Sequence, residues 1–189
     1  MSNYMEKYNE LINIHSHKIN DKSILIIGGG YMGKEYARAL EQLGISDVTI
    51  ITKSPKKSSD FSKKFSYSIL DGGFEKQLQT LNKKDLVIVT TPIELLVPVT
   101  KLAIKTGQTT ILLEKPGSLF HQELSSLDKM INTQKIRIAY NRLLYPNFHK
   151  LKQLVKNEGG IISSKFDFTE WIHKISFDKH QENTYKFWG

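Results

Sequence analysis

The clearest chemistry lies in Gly28-Gly29-Gly30-Tyr31-Met32-Gly33, which has the spacing G-x-G-x-x-G. In this pattern the first glycine permits a tight turn and the second lets backbone approach a pyrophosphate. The third lets a helix pack close to a strand. The N–H groups and partial positive charge of a helix N-terminus then face the phosphates. The spacing alone is weak. Here it follows an apolar run at 23–27 and opens a helical pattern, which is the context the motif requires. Gly28, Gly30, Tyr31, Met32 and Gly33 are therefore candidate cofactor contacts. The Gly-Lys-Ser/Thr ending of a Walker A loop is missing.

A second cluster follows the next β-branched run. A carboxylate expected there would bind the ribose hydroxyls of NAD. Between Val48 and Ser59 there is no Asp or Glu, and the chain reads Thr52-Lys53-Ser54-Pro55-Lys56-Lys57. Hydroxyl and ammonium groups suit a 2′-phosphate, so Thr52, Lys53 and Ser54 are candidate cofactor contacts and NADP is preferred over NAD. The plainer reading is that these lysines only solvate a loop and leave both cofactors open.

The elements that must hold these residues alternate. Strands are expected at 23–27, 48–51, 67–70, 85–89, 109–113 and 135–140. Helical spacing fills 31–43, 74–81, 93–105 and 119–131, while 54–64, with Pro55, suits a loop or short helix. Mostly uncharged strands separated by helices imply a parallel sheet covered on both faces, a Rossmann-type doubly wound α/β domain. Ligands on such sheets bind beyond the carboxyl ends of the strands. Thr90-Thr91-Pro92, Glu114-Lys115-Pro116 and Asn141-Arg142 stand at such ends. After Tyr140 the pattern changes to a helix over 145–156 with Phe148, Leu151, Leu154 and Val155 inward. A long strand over 161–172 and an aperiodic, aromatic 173–189 follow. An amphipathic helix is expected near the N-terminus, from Tyr4 to Ile19. The expected organisation is an extension at 1–21, the dinucleotide-binding domain at 22–140 and the incomplete start of an α+β domain at 141–189.

Together, the glycine loop and the strand-end motifs resemble the Gfo/Idh/MocA oxidoreductase family, the glucose–fructose oxidoreductase and inositol dehydrogenase type. The resemblance runs from about Ser23 to about Trp171, and Glu114-Lys115-Pro116 is its most specific element. It implies hydride transfer between a nicotinamide and a hydroxyl- or carbonyl-bearing carbon of a sugar, cyclitol or nucleotide sugar. It implies that Lys115 is catalytic, stabilising charge on the reacting oxygen, and that a cis bond precedes Pro116. Thr90, Thr91, Pro92, Glu114, Lys115 and Pro116 would border the cofactor, and Asn141 and Arg142 the substrate. The sequence departs from the family at Leu96, where a histidine is common. It also ends at Gly189, before the segment that supplies further acid/base groups. A C-terminally truncated chain is therefore expected, and His173 and His180 inherit no role. The alternative is a non-catalytic NADP-binding or regulatory module.

Composition agrees with a folded protein and removes several other classes. The 189 residues contain no cysteine, so disulfides, thiol nucleophiles and Cys-based zinc sites are excluded. No apolar run nears the roughly 20 residues that span a bilayer, and the start lacks a signal-peptide core. A cytoplasmic location is the default expectation, with no membrane partner. The net charge of +8 is carried by lysines spread along the chain, with arginine only at Arg38, Arg137 and Arg142. That pattern describes a solvated surface better than a specific nucleic-acid interface. His15 and His17 stand two apart on the expected N-terminal helix and would point apart, so no metal site is expected. The expected partner is a sugar-like small molecule. A second copy of the chain could pair along the unfinished sheet of the second domain.

Overall fold

Short β-branched segments become the strands β1 (Ile24–Ile27), β2 (Val48–Ile51), β3 (Ser68–Leu70), β4 (Leu86–Val89), β5 (Thr110–Leu113) and β6 (Lys135–Ile138). The computed structural model describes residues 21–130, 132, 134–165 and 167. The strands form one sheet in the order β3-β2-β1-β4-β5-β6, and every neighbouring pair is parallel. This is the doubly wound order, and it reverses direction between β1 and β4.

Alternation along the strands sends side chains to two faces. Ile24 and Ile26 join Val48, Ile50 and Ile88 in one core, closed by Ala37 and Leu40 of α1 (Tyr31–Gln42) and Phe61 of α2 (Pro55–Ser62). Leu25 and Ile27 join Val87, Val89, Ile111 and Leu113 in the other. That face is closed by Leu96, Val97, Val99 and Ala103 of α4 (Ile93–Lys105) and Leu127 of α5 (His121–Asp128). The short α3 (Phe74–Gln77) precedes Leu78, which is also buried there. Both faces are thus dry, which explains why β1 and β2 carry no polar side chain except Thr49. At the sheet edge, β6 exposes Lys135 and Arg137, charges that discourage pairing with another chain.

The segment at 54–64 resolves into a helix. Pro55 occupies its first turn, where a fixed φ and a missing N–H cost nothing. Helix α5 is shorter than the expected 119–131. Extended backbone at Phe120 delays its start, and Ser118 Oγ donates to the Phe120 carbonyl at 2.7 Å.

The chain divides into two compact units, Met1–Tyr140 and Asn141–Gly189. In the second, a 3-10 turn (Asn141–Leu144) precedes α6 (Pro146–Asn157). Phe148, Leu151 and Leu154, expected inward, are 36%, 54% and 45% exposed. The 3-10 turn is the one other described element of this unit, too small to cover that face. The strand expected at 161–172 is not formed over 161–165, where no ladder partner stands among the described residues. Most of its remainder, the helix expected from Tyr4 to Ile19 and the aromatic 173–189 lie outside the described residues.

Leu25 is fully buried at the centre of the sheet. Leu25→Ala should cost about 2–5 kcal/mol of stability, read from the urea midpoint.

Candidate functional site

Reversal of strand order leaves a crevice beyond the carboxyl ends of β1 and β4, which run side by side with Ile27 opposite Val89. Gly28 enters it with φ +127°, in the region that favours glycine. A Cβ on Gly28 would stand 2.6 Å from the Thr90 carbonyl oxygen, and one on Gly33 would stand 2.1 Å from the Gly28 carbonyl oxygen. The start of α1 therefore rests directly on the turn. Gly30 differs, because its Cβ position has no atom within 4 Å and its φ of −82° is ordinary. Open space lies over the one glycine whose backbone a pyrophosphate would approach. The first turn of α1 carries no acidic residue to repel an anion.

Thr90 secures this arrangement. It is buried, its N–H donates to the Ile27 carbonyl at 2.8 Å, and its hydroxyl faces the Gly28 carbonyl at 3.1 Å. Its hydroxyl thus ties β4 to the glycine turn. Thr91 is the reverse case, since its hydroxyl oxygen is buried with no hydrogen-bond partner. A buried unsatisfied hydroxyl is uncommon and calls for a partner. Pro92 is exposed and starts α4.

At the end of β2, Thr52 is 1% exposed. Its hydroxyl lies 2.6 Å from Ser58 Oγ and 3.3 Å from the Ser54 carbonyl oxygen. Thr52, a candidate cofactor contact, thus fastens α2 to the strand end. Ser54 is the N-cap residue of α2 and makes no side-chain capping bond. Lys53, Lys56 and Lys57 are exposed around it. The Cβ of Lys57 lies 3.5 Å from where a Gly29 Cβ would be, so this basic turn adjoins the glycine loop.

Beyond β5, Glu114 is 8% exposed and its N–H donates to the Val89 carbonyl at 3.0 Å. Tyr36, on α1, donates its hydroxyl to Glu114 Oε1 at 3.0 Å. Burial, the adjacent Glu114 charge and this hydrogen bond push the Tyr36 phenol well above its ordinary pKa. Lys115 is exposed, the Lys115–Pro116 bond is cis, and the Pro116 carbonyl accepts a hydrogen bond from Tyr140 at 3.2 Å. Tyr36 escaped the sequence reading because its partner is 78 residues away and its helical position looks like any other. Asn141 and Arg142 belong to the second unit, where both are exposed in the 3-10 turn.

The switch-point crevice, the open glycine cradle and the unpaired Thr91 hydroxyl fit a nicotinamide dinucleotide, and the class defined is a Rossmann-type dinucleotide-binding domain. The chain belongs to the shikimate / quinate 5-dehydrogenase family, whose model matches residues 10–110. It is 30% identical over 79 residues to shikimate dehydrogenase (NADP(+)) of Methanothermobacter thermautotrophicus, covering 40% of this chain and 28% of that protein. It is 25% identical over 143 residues to glutamyl-tRNA reductase of Saccharolobus islandicus, covering 68% and 34%. The fold is shared with scyllo-inositol dehydrogenase from Lactobacillus casei, solved with NAD(H) and scyllo-inositol. That match has a TM-score of 0.64 at 19% identity, over 73% of this chain and 42% of the other. The Rossmann-type sheet expected from the strand pattern is therefore present. The chain spans about a third of the length of the curated relatives it matches. No described helix is long and apolar enough to cross a membrane.

Gly33→Ala places a methyl group against backbone that cannot yield. It should lower stability by about 1–3 kcal/mol in urea unfolding.

Proposed function

We propose that the chain binds NADP in preference to NAD and serves an oxidoreductase that moves hydride between the nicotinamide and a carbon bearing a hydroxyl or carbonyl. The observation that carries this reading is the pairing of the open Gly30 cradle with a basic, carboxylate-free turn beside it. The pyrophosphate would lie on the backbone of Gly28 to Gly33, with Tyr31 and Met32 at the mouth. Lys53, Ser54 and Lys57 would hold the 2′-phosphate, with Thr52 setting the start of α2. Thr91, with its unpaired hydroxyl, and Pro92 would border the second nucleotide. The name of the Methanothermobacter relative, an NADP(+) enzyme, points the same way.

Bound nicotinamide supplies or accepts the hydride. The chain's own contribution is orientation and charge. Lys115 stands exposed beyond β5, and its ammonium would donate a hydrogen bond to the substrate oxygen on which charge develops. Glu114 and Pro116 flank it in the same turn. The substrate class we favour is a sugar, cyclitol or nucleotide sugar, with Asn141 and Arg142 as candidate contacts. The strand-end motifs support this choice.

Fluorescence titration tests the cofactor assignment. NADPH should bind at least about tenfold more tightly than NADH, a preference of electrostatic origin that weakens with salt. Lys57→Gln should shrink the ratio, whereas tighter binding of NADH would overturn the NADP assignment. Gly30→Ala should leave stability within about 0.5 kcal/mol, because the added methyl meets only open space. The same variant should abolish NADPH binding, because that methyl occupies the pyrophosphate position.

A further inference from the structure

Glu114 is a buried carboxylate at the carboxyl end of β5, and its one hydrogen-bond partner among the described residues is neutral. It makes no ion pair among the described residues. Tyr36 holds Oε1 at 3.0 Å, and its raised phenol pKa keeps the hydroxyl protonated and donating throughout the neutral range. The backbone of the same residue is tied to β4 through the Val89 carbonyl. The charge is thus fixed between α1, β4 and β5, with little freedom to turn away.

Its position gives it a role on the cofactor reading above, on which this inference rests. In a doubly wound sheet the dinucleotide crosses the switch point. The basic turn after β2 takes the adenosine half, so the nicotinamide half falls on the side of β4 and β5. The nicotinamide ring is a cation when oxidised and neutral when reduced. A carboxylate shielded from water interacts with such a charge far more strongly than an exposed one does. We infer that Glu114, positioned by Tyr36, makes this site bind the oxidised dinucleotide in preference to the reduced one. Lys115 carries the opposing charge next to it in sequence but is exposed and therefore better screened.

The test compares dissociation constants for NADP⁺ and NADPH, measured by calorimetry and fluorescence on the full chain. Glu114→Gln keeps an acceptor for Tyr36 and removes the charge. It should raise the ratio Kd(NADP⁺)/Kd(NADPH) by about tenfold, mostly through weaker NADP⁺ binding. Tyr36→Phe keeps the charge but frees it, and should shift the ratio the same way by a smaller factor. Lys57→Gln should weaken both forms alike, because both carry the 2′-phosphate. If Glu114→Gln does not fold, Tyr36→Phe carries the test alone. An unchanged ratio in folded variants that still bind both forms overturns the inference and leaves the NADP reading intact. Failure of the unaltered chain to bind either form overturns both.

Discussion

The close approach of three backbone segments, at Gly28, Gly33 and Thr90, is the constraint on which the rest of this structure depends. A Cβ at Gly33 would overlap the Gly28 carbonyl, and one at Gly28 would overlap Thr90. Without side chains there, α1 begins directly against the end of β1, and β4 runs alongside at the same level. This contact sets where the positive end of α1 points and leaves Gly30 uncovered. The Thr90 hydroxyl and N–H then fasten β4 to the turn. A residue of larger volume at either glycine would have to separate helix, turn and strand together.

Around that contact the charges are sorted by position along the sheet. The end of β2 is basic and free of carboxylates, and its hydroxyls at Thr52 and Ser58 are spent on fixing α2. The end of β5 carries a buried carboxylate held from α1, beside an exposed lysine. The turn after β2 thus offers ammonium groups alone, whereas the end of β5 holds a buried carboxylate and an exposed ammonium side by side. A dinucleotide with a phosphorylated ribose at one end and a ring of variable charge at the other matches that arrangement.

The proteins this chain resembles carry names for different reactions: shikimate dehydrogenase, glutamyl-tRNA reductase and scyllo-inositol dehydrogenase. A doubly wound sheet hosts many chemistries, because reaction identity resides in grafted sites rather than in the layers. The crevice described here belongs to the cofactor half of such chemistry. Lys115 stands exposed at a strand end of this unit.

Much of this was legible in the sequence because it depends on local properties. Short β-branched apolar runs such as Ile24–Ile27 and Leu86–Val89 suit buried strands, and the glycine spacing suits a turn followed by a helix. The missing carboxylate after β2 is a matter of residue identity alone. Three features were decided by the tertiary structure: Thr52 as a fastening for α2, the Thr90 hydroxyl on the glycine turn, and the Tyr36–Glu114 bond across 78 residues. Spacing along a chain fixes backbone geometry and the face on which a side chain emerges. Which buried polar atoms satisfy one another depends on how remote elements pack, and that leaves no periodic trace in the sequence.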